Sequence, residues 1–561
     1  MTEIRHTKES PASVIFPGAI TTFAFEAAER LCSAVERLTG IRPVRSFAAA
    51  SESDPAAPAI LVGGNSYPSQ KKILAGLNCG ICLLSSPSPD LLVCATHTEE
   101  TLIGAVDLLC SNMRYDGEKL AFDGCEGKKI YLPGLLRFLP APDCGRTVAC
   151  RKSHDLCDQI VVCGTTADDF ANYLFKLEAA GFETVFEREV AGNLFRRLEK
   201  DGCSAYVYFT PFNSTMRILC EPAANLHRDR ECVQEKTCQP LMTVVGARWS
   251  NTAEYLNRDA GSGNMGYIFR LEDGSFILVD GGMELGDYAE KILAALREQT
   301  PAGETPRIRC WFLSHTHIDH TGAFLKIAAK YPDSVILEEI ACNFPSIPDA
   351  EIFREAWNTR RVKEAVYKSF PGAKYSKIHS GQILRFGETE VEVLWTQDDL
   401  VREYLSLGNV TLNTASACIR LKIGGNTVLL PADCDETAND IMLKTYGGYL
   451  KSDILQVCHH GGWGGTTPFY EAVDPEVAIF STSDELLPMY LQIKYNHDLV
   501  YGMHVREVHN NADRFRVFPL PYHPAETSLP PDPAGEILYT KAKQLEALAQ
   551  IEKIRAEKNG K

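Results

Sequence analysis

Long apolar runs are missing from the chain. No stretch of its 561 residues reaches the roughly 18–20 apolar residues that a bilayer-spanning helix needs, so no membrane partner is expected. Positive charge is also in short supply: 57 Lys and Arg stand against 73 Asp and Glu, a formal net charge of −16. That balance argues against a broad basic surface wrapping extended duplex nucleic acid. It leaves room for a small anionic substrate, because bound metal ions bring local positive charge of their own. The opening MTEIRHTKESPASVIF has no apolar core behind its charges, unlike a secretion signal. Nineteen cysteines are scattered and odd in number. The lone CxxC, Cys79 to Cys82, has apolar neighbours and no second copy. Reduced thiols in a cytoplasm, with the CxxC in a buried strand, are the expectation.

What is there looks globular and multidomain. Hydrophobic residues make up 45% and charged residues 23%, and the length exceeds what one ordinary core supports. Residues 1–150 read as an α/β domain, in which FAFEAAERLCSAVERLTG and TEETLIGAVDLLCSNM have helical spacing while PAILVGG, GICLLS and LLVCAT read as strands. Residues 151–225 read as a small α+β module: the strand QIVVCG, the helix DDFANYLFKLEAAGF stopped by Gly181, then three strand-like segments. A polar linker follows at 226–238. The largest region is 239–523, and 524–561 forms a proline-rich break and a charged amphipathic helix.

Histidine is scarce, 14 in the whole chain, yet His315, His317 and His320 fall with Asp319 inside FLSHTHIDHTGAF, between an apolar strand and a helix. Neutral imidazole and carboxylate are the ligands that zinc and similar ions take, and the C-terminal end of a strand is where open sheets hold their sites. His315 and His317, alternating at the strand end, can share one ion, and Asp319 with His320 can face a second.

This H-x-H-x-D-H pattern resembles the metallo-β-lactamase fold superfamily, and further motifs of that family follow in order. NMGYIFRLEDGSFILVDGGM resembles its opening strand pair, with Asp280 at a strand end. CIRLKIGGNTVLLPADCDE places Asp433 where the family has a metal-bridging aspartate. SDILQVCHHGGWGG places His459 and His460 at the last ligand motif. Within the superfamily the spelling is most similar to the soluble hydrolase domain of ComEC-type DNA-uptake proteins, through NTAS (Asn413 to Ser416), HHGG and YNHD with His497. The resemblance implies a C-terminal αββα domain preceded by the two smaller α/β or α+β domains. The first of these resembles, in pattern only, the accessory domain of some glycoside hydrolases. It also implies two divalent ions, zinc ahead of manganese, held by His315, His317, Asp319, His320, Asp433 and His459 or His460, with Asp319 and His497 in catalytic roles. The family's usual histidine between the cluster and the bridging aspartate is not found: only His379 lies between them, ahead of an interior-patterned strand.

Several residues carry two readings. Asp280 in Asp-Gly-Gly serves equally as a turn residue or as support for a metal ligand. Alternation from Leu455 and Val457 points His459 inward, but does not decide which of His459 and His460 is the ligand. Cys434 and Cys458 read as buried thiols rather than soft ligands. The chemistry expected is hydrolysis by metal-activated water on a phosphodiester-like substrate. An amide or ester (lactam- or thioester-like) hydrolase, and a non-catalytic scaffold with a degraded site, are the alternatives.

Overall fold

The computed structural model describes residues 2–533 except 18–21, 49–50, 57, 65, 99, 132–134, 155–156, 228–237, 246–263, 401–409, 485 and 511–514. The C-terminal helix and most of the linker expected from the sequence lie outside the described residues. The chain divides into two compact units, Met1–Ala223 and Ala224–Lys561.

Two modules, each built on a six-stranded sheet, are described in the first unit, together with a three-stranded sheet. Parallel strands Val44–Ala48, Ser13–Pro17, Ala59–Val62 and Leu91–Thr96 form a sheet extended by antiparallel Ile81–Ser88 and Lys129–Tyr131. Helices Thr22–Thr39 and Thr101–Ser111 bury small and branched residues against it, among them Ala24, Leu31, Ala105 and Val106. The CxxC lies at the start of the strand Ile81–Ser88. Burial pushes the Cys82 thiol up to about 12, so it is a core thiol as expected. The second module is a six-stranded antiparallel sheet, Arg146–His154 through Glu183–Val190. Helix Ala167–Ala179 buries Phe170, Tyr173 and Leu177. Its capping box between Thr166 and Asp169 fixes where that helix starts. Two strands go beyond the four expected: Arg146–His154, which crosses the expected boundary at residue 150, and Thr215–Pro222, which pairs with both Cys157–Cys163 and Cys203–Thr210.

The second unit has two sheets face to face. The first runs, in order, Lys374–Lys377, Glu339–Cys342, Arg307–Leu313, Phe276–Asp280, Gly266–Arg270, Leu241–Val244 and Arg516–Pro519, its first three pairings parallel and its last three antiparallel. The second runs Ile383–Phe386, Thr389–Trp395, Cys418–Ile423, Asn426–Leu430, Ile454–Gln456, Val477–Phe480 and Glu507–Asn510. Alternation on both sheets sends Tyr267, Phe269, Val279 and Phe312 from one side to meet Val391, Ile419, Leu430 and Ile479 from the other. Helices Tyr288–Glu298, Ile318–Lys330 and Ala356–Lys368 cover the outer face of the first sheet through a separate apolar layer. Helices Glu436–Tyr446, Thr467–Val473 and Lys494–Gly502 bury their own apolar faces beside the second. The αββα expectation is met, and strand ends from both sheets converge on one edge.

Candidate metal centre

The site is assembled from three segments that follow strands. Strand Arg307–Leu313 stops just before Ser314, and the helix Ile318–Lys330 begins directly after His317, so His315 and His317 sit in the turn while Asp319 and His320 occupy the helix's first turn. A carboxylate there is favoured by the helix dipole. That helix can approach only because position 322 is glycine: a Cβ on Gly322 would lie 1.9 Å from the Glu284 backbone nitrogen. Asp433 follows the strand Asn426–Leu430, and His459 and His460 follow Ile454–Gln456.

The imidazole nitrogens converge in two groups that share Asp433. His315 Nε2 lies 3.0 Å from His317 Nδ1 and 3.8 Å from Asp433 Oδ2. His320 Nε2 lies 3.3 Å from His460 Nε2, and these two approach Asp433 Oδ1 to 3.1 and 3.3 Å. Asp319 Oδ2 joins them, 3.2 Å from His460 Nε2. Within each group, His315–His317–Asp433 and Asp319–His320–Asp433–His460, the donor atoms lie within 4.8 Å of one another. Asp433 Oδ1 is buried and accepts no hydrogen bond. An orphaned carboxylate oxygen facing two imidazole nitrogens that also face each other is what a shared cation would satisfy. The donor set therefore fits divalent metal.

The opposite nitrogens of these rings are engaged elsewhere, which fixes each ring's orientation. His320 Nδ1 lies 2.8 Å from Asp280 Oδ2, His460 Nδ1 is 3.2 Å from the Ser481 carbonyl and His317 Nε2 is 3.7 Å from Glu355. His315 Nδ1 is 3.0 Å from Ser314 Oγ, and that hydroxyl donates to Asp280 Oδ2 at 2.7 Å. Asp280 also accepts from the Ser314 amide at 2.8 Å. It is thus no mere turn residue: it orients two of the clustered imidazoles, His320 directly and His315 through Ser314. Ser314, Ser481 and Glu355 were not singled out in the sequence; Ser314, adjoining the histidine motif, was the one with a positional signal.

Charge follows geometry. Burial alone would raise the Asp433 carboxyl, but His320, His460 and His459 hold it well below the usual carboxylate range. Burial would lower His460, while Asp433 and Asp319 lift it to about 9. His320 is likewise lifted well above its ordinary value against burial, by Asp433, Asp280 and Asp319. Desolvation, then His320 and His317, keep His315 well below 6.5 and so neutral. Cys434 and Cys458 are thiols, as expected: burial raises the first far above its normal value and the second to about 12.

Backbone strain is concentrated here. Asp280, Ala432, His459 and His460 have φ of 54°, 51°, 47° and 61°, a region costly to non-glycine residues and typical of functional sites. The strand-like alternation that pointed His459 inward does not hold, because the strand stops at Gln456 and a left-handed turn follows. His460 is the fully buried ring, and the His459 side chain is 19% exposed. His379 is buried against Asp398, 2.9 Å from its Oδ2, and belongs to neither Asp433 group. His497 lies on the helix Lys494–Gly502, 3.2 Å from Asp532 and against the Tyr501 ring; none of its contacts joins it to the cluster. Its neighbours do reach the site's support: Asn496 donates to the Gly461 carbonyl at 2.7 Å and Tyr495 to Gly462 at 2.6 Å.

With this arrangement in place, residues 258–481 match the family model described as the metallo-beta-lactamase superfamily. Over those residues the chain has the metallo-β-lactamase fold. A 95-residue part of the chain is 32% identical to Competence protein ComA of Neisseria gonorrhoeae, covering 16% of this chain and 14% of that protein. The metallo-β-lactamase fold protein YhfI from Bacillus subtilis is 15% identical, with 50% of this chain and 99% of that chain covered and a TM-score of 0.31. Unliganded yeast PDE1 is 11% identical, with 56% and 95% covered and a TM-score of 0.27. Among the described residues, no helix is long and apolar enough to cross a membrane.

Proposed function

We propose that the metallo-β-lactamase domain is a two-metal hydrolase acting on a phosphodiester-like substrate in the cytoplasm, with zinc preferred over manganese. One observation carries the two-metal reading: the two oxygens of Asp433 face separate groups of imidazoles, Oδ2 towards His315 and Oδ1 towards His320 and His460. When bound, a pair of divalent ions activates water near neutral pH and offsets charge on the oxygens of a displacement. Imidazole-rich donors favour zinc over the harder ions that carboxylate-rich sites select.

The protein's own groups do the rest. His315, His320, His460 and Asp433 form a buried floor, which excludes bulk water and strengthens every charge interaction within it. Asp319 and His317 are the more open members, their side chains 25% exposed, so substrate and water arrive on their side. Asp319 has one oxygen fixed by His460 and its carboxyl is kept ionised, against burial, by His320 and His460. It is therefore placed both to ligate and to accept the proton of the attacking water. The phosphodiester class is supported by the ComEC-type spelling of NTAS, HHGG and YNHD and by the stretch shared with the competence protein. A net charge of −16 suits a nucleotide-sized or short single-stranded substrate better than long duplex. The cytoplasm is supported by the free cysteines, none disulfide-bonded among the described residues.

The test is turnover of chromogenic phosphodiester, ester and lactam substrates by metal-loaded protein and by Asp433→Ala. Phosphodiester turnover that vanishes in the variant is expected. Turnover confined to the ester or lactam would replace the substrate class, and turnover of none would favour the scaffold reading.

A further inference from the structure

His459 has no assigned place in either tight donor group, yet it is built into the centre. We infer that His459 is the third imidazole of the first metal position, standing in for the histidine that the sequence does not supply between His320 and Asp433. The inference rests on the two-metal reading above.

The geometry around Asp433 is two-sided. Oδ1 has imidazoles His320 and His460 at 3.1 and 3.3 Å. Oδ2 has His459 at 3.5 Å and His315 at 3.8 Å. Each oxygen therefore faces one imidazole from the first cluster and one from the His-His pair. The two sides become alike when His459 completes the set His315, His317 and Asp433, as His460 completes Asp319, His320 and Asp433. Three imidazoles and a shared carboxylate are the four donors that a tetrahedral ion requires; without His459 the first position has three.

Consecutive residues in a strand point to opposite faces, so two adjacent histidines ordinarily cannot serve one centre. Here they can, because both take left-handed backbone, φ 47° and ψ 52° for His459 and φ 61° and ψ 2° for His460. The ring centroids stand 6.0 Å apart, and both Nε2 atoms are turned to Asp433. Such strain persists only where the surroundings over-determine it. They do so: the His459 amide donates to the Ala432 carbonyl at 2.9 Å and Gly462 donates back to His459 at 2.8 Å. Asn496 and Tyr495 clamp the next two carbonyls, and a Cβ on Gly461 would lie 2.4 Å from the Phe480 ring. A histidine with only a packing role would not need this turn.

One contact must give way. Asn413 Nδ2 lies 3.2 Å from His459 Nε2, at the nitrogen that would ligate, and His459 stands outside the tight His315–His317–Asp433 group. Loading the first position moves this ring off Asn413 and towards Oδ2. Asn413 is partly exposed on a loop, so its amide has somewhere to go.

The experiment is zinc content and zinc affinity of the full chain, with cobalt as a spectroscopic probe, for wild type, His459→Ala, His459→Gln and Asn413→Ala. Circular dichroism confirms that each is folded. The expected result is two equivalents in wild type and one tight equivalent in both His459 variants. First-site affinity should fall beyond the roughly 10–100-fold that losing a mere hydrogen-bond partner of a ligand costs, and the cobalt visible spectrum should change. Asn413→Ala should hold two equivalents at least as tightly as wild type, since it frees His459 Nε2. Two equivalents of unchanged affinity in the His459 variants would overturn the assignment and leave the two-metal reading intact. Fewer than two equivalents in wild type would overturn that reading itself, and this inference with it.

Discussion

Replacing Asp280 by asparagine isolates the part of the site that touches no metal. Asparagine tolerates the left-handed backbone at this position, where φ is 54°, so the change adds little strain. What is lost is charge and one acceptor, on a side chain facing His320 Nδ1 at 2.8 Å, the Ser314 hydroxyl at 2.7 Å and the Ser314 amide at 2.8 Å. Removing the orienting partner of a ligating histidine costs about 10–100-fold in metal affinity, or about 1.4–2.7 kcal/mol. Because His320 belongs to the Asp319–His320–Asp433–His460 group, that position should weaken most. The first position should weaken less, since Asp280 reaches His315 only through Ser314. In chelator-treated protein the cost appears as stability instead. His320 and Asp280 are both fully buried, and breaking a buried pair costs about 3–5 kcal/mol. Zinc competition against a fluorescent chelator reads the first quantity and urea unfolding the second. Unchanged affinity at both positions in a folded D280N would refute the claim that Asp280 orients the ligands.

Three further outcomes are expected. Gly322→Ala should lower stability in urea by at least about 3 kcal/mol, at or above the upper end of ordinary overpacking, because its Cβ meets backbone at 1.9 Å; a near-neutral effect would mean that the helix shifts freely. In chelator-treated protein, His460 is lifted from 6.5 to about 9. Its contribution to stability is therefore fully present below about pH 6.5 and lost as pH rises through about 9; the melting temperature of that protein should fall over this window, and the fall should shrink when zinc is bound. Cys458, with its thiol pushed up to about 12, should resist iodoacetamide in the native state at pH 8, as peptide mass spectrometry would read; rapid labelling would show an open site wall.

Much of this site was legible in the sequence for physical reasons. His315, His317, Asp319 and His320 are adjacent, so their spacing already carries their geometry, and Asp433 follows an unambiguous buried strand. The αββα layers were expected only through the resemblance to the metallo-β-lactamase fold superfamily that the strand-end motifs carry, not from periodicity. Asp280 was undecided because Asp-Gly-Gly is turn chemistry in any protein; only the fold brings Ser314 and His320 to it. His459 and His460 could not be ordered because period-2 alternation was carried past Gln456, where the strand ends and a left-handed turn reverses the outcome. YNHD drew attention to His497, yet the residues that reach the His-His loop are Tyr495 and Asn496, through hydrogen bonds to carbonyls that no side-chain pattern announces. Thr215–Pro222 escaped notice because its pairing is set by neighbours on both sides rather than by its own periodicity.

The most direct test of the central claim is anomalous scattering at the zinc edge from crystals of zinc-loaded protein. Two peaks about 3.5–4 Å apart, on either side of the Asp433 carboxylate, are predicted. A single peak, or peaks that do not share Asp433, would contradict the account.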